Sequence, residues 1–138
     1  VTPTIVELNL DNAREARGHG FRAIYGDATN PVILEEAGVV DADTIVLTSA
    51  GMEHSEDTIR AARELNAGIH VMARSAYIRH VRGLRDVGAD SVFSGEAEVA
   101  LAMTEAMLTR LGATWEQIER ERGRVRDEIG QAIEAPRP

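Results

Sequence analysis

Five polar clusters, each placed directly behind a short apolar run, hold most of the side chains in this sequence that could do chemistry. They read Glu7-Leu8-Asn9, Gly26-Asp27-Ala28-Thr29, Thr48-Ser49-Ala50-Gly51, Arg74-Ser75 and Ser94-Gly95-Glu96. The chemistry they suggest is binding. A carboxylate such as Glu7 at the end of an apolar strand can accept both hydroxyls of a ribose, although a solvated strand-end charge would read the same. Asn9 stands at the same strand end and joins the candidate binding set. Asp27 can accept from an amino group while the small Ala28 lets the backbone lie flat against a purine, or Asp27 can simply close an Asx turn. Thr48 and Ser49 offer hydroxyls and amides to a phosphate or ribose, and a plain polar loop explains them equally. Arg74 would pair an anionic ligand group or a neighbouring carboxylate such as Glu96.

Bond-making constellations are thin by comparison. The four histidines, His19, His54, His70 and His80, share no metal-ligand spacing, and there is no cysteine to act as nucleophile, disulfide partner or thiolate ligand. No Gly-x-Ser-x-Gly elbow or Walker motif occurs, and Glu35-Glu36 reads as helix surface charge. With 138 residues, 43% of them hydrophobic, the chain can bury one core. A net charge of −8 argues against nucleic acid as partner, yet a small phosphorylated ligand responds to local amides and single arginines. No apolar run approaches the ~18 residues of a membrane span and no signal-peptide pattern is seen, so this piece is expected to be soluble. Its start at Val1, running almost at once into a strand, gives the expectation of a piece cut from a longer chain.

The elements that must position these clusters alternate. Thr4–Leu8 reads as a buried strand, and Asp11 or Asn12 can cap a short helix that Gly18 and Gly20 end. Arg22–Tyr25 is a second strand, and Asn30-Pro31 opens a helix with Asn as N-cap and Pro at its first position. Thr44–Leu47 is a third strand; Ser55 is a candidate cap for the helix carrying Ile59, Ala62 and Leu65 on one face. Ile69–Ala73 is a fourth strand, followed by a helix with Ile78, Val81, Leu84 and Val87. A fifth strand precedes a long helix over Glu96–Leu111. Thr114 and Gln117 have the capping-box spacing ahead of a charged helix striped with Trp115, Ile118, Val125 and Ile129. That last helix reads either as a solvated tail docked by one edge or as a partner-binding helix, and the closing Ala-Pro-Arg-Pro as disordered. Short strands apolar on both faces, alternating with helices, imply a doubly wound parallel sheet covered on both sides. Ligands of such sheets gather beyond the carboxyl ends of the strands, where the polar clusters fall.

These residues also resemble a known family. The run from Ile5 to Glu96, and most specifically Gly26-Asp27-Ala28-Thr29 followed by a leucine-bearing helix, is similar to the RCK domain, also called the TrkA N-terminal or KTN domain. The segment "LTRLGATWEQIERERGRVRDEI" resembles the helical tail that follows this domain in Kef-type cation/proton antiporters. The resemblance implies a Rossmann-like domain over residues 1–112, with a helical extension and tail over 113–138. It implies a cytoplasmic regulator of potassium or cation transport at the inner face of the membrane, working as a homodimer with a membrane transporter or channel portion. The ligand would be NAD(H), AMP, ADP or ATP, and the domain would not be an enzyme. Carried over position by position, Glu7 matches the ribose-binding acid, Asp27 and Ala28 the adenine-contacting pair, Thr48 the loop over the ligand's middle, and Arg74 the basic residue near the phosphates or second nucleoside.

One departure stands out. A family member begins with a strand and a Gly-x-Gly-x-x-Gly turn that receives the phosphates, and neither is present here. That strand belongs between Thr4–Leu8 and Thr44–Leu47, which would otherwise face a gap of roughly 9–10 Å. Three outcomes are open: upstream polypeptide completes the sheet, a partner supplies a strand, or the sheet rearranges. The rival from another class is a cofactor domain cut from an NAD(P)-dependent oxidoreductase, since fold alone does not fix function; a third is a nucleotide-free dimerisation module.

Overall fold

The apolar runs become strands as expected, and every pairing is parallel. A computed structural model describes residues 2–48 and 52–134. In chain order they form β1 (Thr4–Glu7), α1 (Leu10–Gly18), β2 (Arg22–Tyr25), α2 (Pro31–Glu36), β3 (Thr44–Leu47), α3 (Met52–Leu65), β4 (His70–Ser75), α4 (Val81–Asp86), β5 (Ser91–Ser94), α5 (Gly95–Arg110) and α6 (Trp115–Glu134), with single 3-10 turns at Val39–Asp41 and Ile78–His80. The sheet is in two parts. In the first, β1 pairs with β2, Thr4 opposite Arg22 through to Glu7 opposite Tyr25. In the second, β4 lies between β3 and β5, Leu47 opposite Ala73 and Arg74 opposite Phe93. No hydrogen bonds join β1 to β3, so the interruption falls where the sequence placed it and the sheet has not rearranged to close it.

The main hydrophobic core lies against the three-stranded part. Leu34 of α2 and Val39 meet Leu47, Ile59, Ala62, Ile69, Val71, Ala73 and Leu84 in a single buried cluster. Each fully buried leucine, isoleucine or valine among them stabilises by about 1.5–3 kcal/mol. The alternation of strand side chains sends Leu47, Val71 and Ala73 to this covered face. It sends Val46 and Phe93 to the other face, where they stay 60% and 47% exposed. The expectation of a sheet covered on both sides therefore holds for one face of β3–β5 only, among the described residues.

Several local readings change. The cap of α1 is Asn9, whose Oδ1 accepts from the N–H groups of Asp11 (2.9 Å) and Asn12 (3.2 Å); Asp11 and Asn12 lie inside the first turn because Leu10 already has helical backbone. Ser55 is not a cap either: it is buried within α3, which starts at Met52. Strand β4 runs on through Ser75, so Arg74 is a strand residue, not the residue after one. By contrast Asn30 caps α2 with Pro31 at its start, and Thr114 and Gln117 form the reciprocal capping box, Thr114 N–H to Gln117 Oε1 at 2.8 Å and Gln117 N–H to Thr114 Oγ1 at 3.4 Å. Along α6, Ile118 is buried, Val125 and Ile129 are half-buried, and Trp115 is exposed; Arg122 anchors it to α5 through Glu105 at 3.5 Å. The closing Ala-Pro-Arg-Pro lies outside the described residues, as do Ser49, Ala50 and Gly51.

Candidate functional site

Glu7 and Asp27 share one rim. Glu7 ends β1 opposite Tyr25, and its carbonyl accepts the N–H of Gly26 at 3.0 Å, so the loop carrying Asp27 leaves β2 directly beside it. Both residues are partly exposed, and each carboxylate uses one oxygen locally. Glu7 Oε1 accepts from the N–H of Asn9 at 2.8 Å. Asp27 Oδ1 accepts from the N–H of Thr29 at 2.9 Å and from its hydroxyl at 2.8 Å. The Asx turn is thus real, and Asn30 separately caps α2, its Oδ1 accepting from Val32 at 3.0 Å. Among the described residues, no hydrogen bond reaches Glu7 Oε2 or Asp27 Oδ2. The Thr29 N–H first, and the Thr29 hydroxyl next, hold the Asp27 carboxyl below the ordinary value of 3.8, because both bonds are made to the ionised form.

The other candidates have structural work as well. Asn9 uses its amide oxygen to cap α1. Ala28 packs half-buried against the core cluster, which turns its methyl inward and fixes the loop. Thr48 and Arg74 meet at the ends of β3 and β4: the exposed Arg74 guanidinium donates to the Thr48 carbonyl at 3.4 Å. Glu96 is not its partner; Glu96 Oε2 accepts from the N–H of Ile78 at 3.0 Å. The structure therefore gathers the six candidates at the carboxyl ends of two half-sheets, an acidic set on β1–β2 and a basic one on β3–β4.

One contributor, and the role of another, escaped the sequence reading. His54, in the first turn of α3, adds its field to Asp27, and no spacing in the sequence links residues so far apart. Gly26 is the other. A Cβ there would lie 2.7 Å from Ile33 Cδ1 and 2.9 Å from its Cγ1, so the glycine lets α2 pack onto the loop that holds Asp27.

Comparison with known proteins shows the family. The TrkA-N domain family matches residues 2–95. The chain belongs to that family. Among relatives of the TrkA-N chain, the putative cation/proton antiporter YbaL of Escherichia coli (strain K12) is 30% identical over 105 residues, covering 76% of this chain and 19% of the antiporter. The chloroplastic K(+) efflux antiporter 3 of Arabidopsis thaliana is 28% identical over 106 residues, covering 77% and 14%. The chain thus spans less than a fifth of either relative. In solved structures, the TrkA-N domain of the Escherichia coli inner membrane protein YbaL matches with a TM-score of 0.72 at 30% identity, covering 75% of this chain and 76% of that one. The Shewanella denitrificans Kef CTD in AMP-bound form matches with a TM-score of 0.75 at 19% identity over 96% and 95% of the two chains. A GsuK channel bound to NAD matches at 0.67 and 22% identity, over 73% of this chain and 18% of that one. The last two establish the shared Rossmann-like fold of the TrkA-N domain. No helix among the described residues is long and apolar enough to cross a membrane.

Proposed function

We propose that this TrkA-N domain is the nucleotide-sensing regulatory part of a potassium or cation antiporter, taking an adenine nucleotide such as AMP, ATP or NAD(H) at the strand ends described above. Glu7 Oε2 accepts from the ribose hydroxyls and Asp27 Oδ2 from the adenine amino group, with the loop at Ala28 forming the flat surface beside the base. Thr48 and Arg74 meet the phosphate side, together with a glycine-rich turn of the kind the family resemblance implies. The domain does no bond making; it acts on the inner face of the membrane, paired with a second copy and attached to a transport portion. A ligand regulates such an assembly only by binding one domain arrangement better than another.

The observation that carries this reading is the pair of carboxylates on one strand-end rim, each with one oxygen held by its own loop and, among the described residues, no hydrogen bond to the other. Support comes from the AMP-bound and NAD-bound states of two fold neighbours and from the antiporter relatives. Titration calorimetry with AMP, NAD and NADH tests it, on the chain and on the chain extended at its N-terminus by a glycine-rich strand unit. Binding that Asp27→Ala weakens by at least about tenfold is expected, the loss of one hydrogen bond to a charged group being worth about 1.5–3 kcal/mol. No binding by any of the three to either form, at millimolar concentration, would overturn it.

A further inference from the structure

Charge is spread unevenly along this acidic chain. Residues 1–58 hold eleven acids against three arginines, whereas the stretch from Leu65 to Arg85 holds four arginines, two histidines and no acid. That stretch becomes β4, the 3-10 turn at Ile78–His80 and α4. Val81 and Leu84 are the buried side of α4. Arg79, Arg82 and Arg85 stand exposed at steps of three residues, which keeps neighbours along the run on one side of it. Exposed arginines elsewhere find carboxylates: Arg14 has Asp11, Arg60 has Glu56 and Asp57, and Arg124 has Glu121 and Glu128. Arg79 and Arg85 have no ion pair among the described residues. The Arg79 guanidinium instead lies over the ring of Tyr77, 4.2 Å from its centroid, and its Nε donates to His80 Nε2 at 3.2 Å; Tyr77 is 45% exposed. The acids that come near are engaged. Glu56 lies beside Gly83 of α4 and is held by Arg60 at 3.2 Å, and Glu96 Oε2 accepts from the Ile78 N–H.

We infer that this face, carrying Tyr77, Arg79, Arg82 and Arg85, lies against an anionic phospholipid surface and sets which way the domain turns toward it. Guanidinium groups pair with phosphate oxygens two at a time and stack on aromatic rings. A half-exposed tyrosine beside one has an apolar body and a polar tip, the combination that settles at headgroup level. The arginines stand on the outer, convex side of a helix. An acidic peptide is held by a groove or an open strand edge, whereas a lipid surface is broad and requires neither. Charge also decides the orientation. An anionic membrane repels the net charge of −8, and most strongly the acid-rich residues 1–58, so the arginine face is the one that can approach. Each basic group within a Debye length of such a surface strengthens attachment roughly fivefold. The inference rests on the part of the proposed function that sets the domain against a membrane; it does not depend on the nucleotide.

Co-sedimentation of the full chain with vesicles tests it, at low salt and millimolar lipid. Vesicles of phosphatidylglycerol and phosphatidylcholine in equal parts are expected to carry the chain down, phosphatidylcholine alone to leave it in solution, and added salt to release it. Reversing two charges, Arg79→Glu with Arg85→Glu, should weaken binding at least about tenfold. Arg14→Glu with Arg110→Glu makes the same change in net charge away from this face and should leave binding within about twofold, with circular dichroism confirming the fold of each variant. Equal loss in the two double variants would overturn the inference, because bulk charge and not this face would then be responsible. Equal sedimentation with neutral vesicles, or none with either, would overturn it too. Stronger capture by immobilised polyglutamate than by the anionic vesicles would overturn it in favour of an acidic protein segment, and displacement by inorganic phosphate at matched ionic strength in favour of a free phosphate. Failure of nucleotide calorimetry leaves this face standing, and failure of vesicle binding leaves the nucleotide reading standing.

Discussion

Asp27 shows how a turn residue can be held ready for the ligand contact proposed for it. Its Oδ1 closes the loop through the Thr29 N–H and hydroxyl, which lowers its pKa below 3.8 and keeps the group ionised and fixed before any ligand arrives. A carboxyl with a depressed folded-state pKa contributes stability that is present above the unfolded value and lost as pH falls through the folded one. Urea denaturation should therefore find Asp27→Asn less stable than wild type at pH 7, with the difference disappearing as pH drops below about 3.8 toward 2. A difference that stayed constant down to pH 2 would show that the Thr29 bonds do not distinguish the ionised form. Gly26 is the neighbouring test of packing. The Cβ of Gly26→Ala would press on the Cδ1 and Cγ1 of Ile33, and overpacking of this kind costs about 1–3 kcal/mol. Shortening Ile33 to Val in the same chain removes the closest atom, so the double variant should recover part of the loss by chemical denaturation.

At the scale of elements, what the sequence made legible is what local chemistry decides. Asn30 before Pro31, and Thr114 ahead of Gln117, are caps whose partners lie within a few residues, and both form as read. Asn30→Ala should lower stability by about 0.5–2 kcal/mol, read from the denaturation midpoint. Misreadings arise where tertiary packing or a competing cap decides. Asn9 stands closer to the last strand residue than Asp11 and takes the cap first. Ser55 looks like a helix start, yet α3 begins earlier and buries it. Nor does spacing reveal Arg63, which reaches across from α3 and donates to the carbonyls of Gly88 (2.9 Å) and Ile69 (2.6 Å) and to Asp90 at 2.7 Å. Asp90 in turn accepts the N–H of buried Val71 at 2.7 Å. This knot ties α3 to the amino ends of β4 and β5, and Asp90→Ala would leave the Val71 N–H without its acceptor. The expected loss is about 1–3 kcal/mol, again measured by denaturation. At the candidate site, the strand-end acids were legible because doubly wound topology places them there, whereas His54 was not, because its approach to Asp27 depends on how α3 packs.

For the molecule as a whole, the division of the sheet sets unequal stability. A two-stranded parallel unit is marginal by itself, and the first three elements, α1 with β1 and β2, bury only Ala13, Ala23 and Ile24. The three-stranded part backs onto most of the core, from Leu47 and Ile59 to Val71 and Leu84. Local opening follows the density of such burial. Native-state hydrogen exchange should then find the amides of β4, hydrogen-bonded on both flanks, opening at the highest free energy, and those of Thr4–Glu7 and Arg22–Tyr25 at a lower one. The acidic half of the candidate site sits on the weaker part and Thr48 with Arg74 on the stronger. A nucleotide held by both halves binds only the state in which they are assembled, and so raises the cost of opening the weaker half by mass action, about 2.7 kcal/mol at a hundredfold excess over Kd. Saturating AMP should therefore increase protection at Val6, Glu7, Ile24 and Tyr25 while β4 changes far less. Protection that rose only around Arg74 would place the ligand on the basic half alone and remove Glu7 and Asp27 from the site.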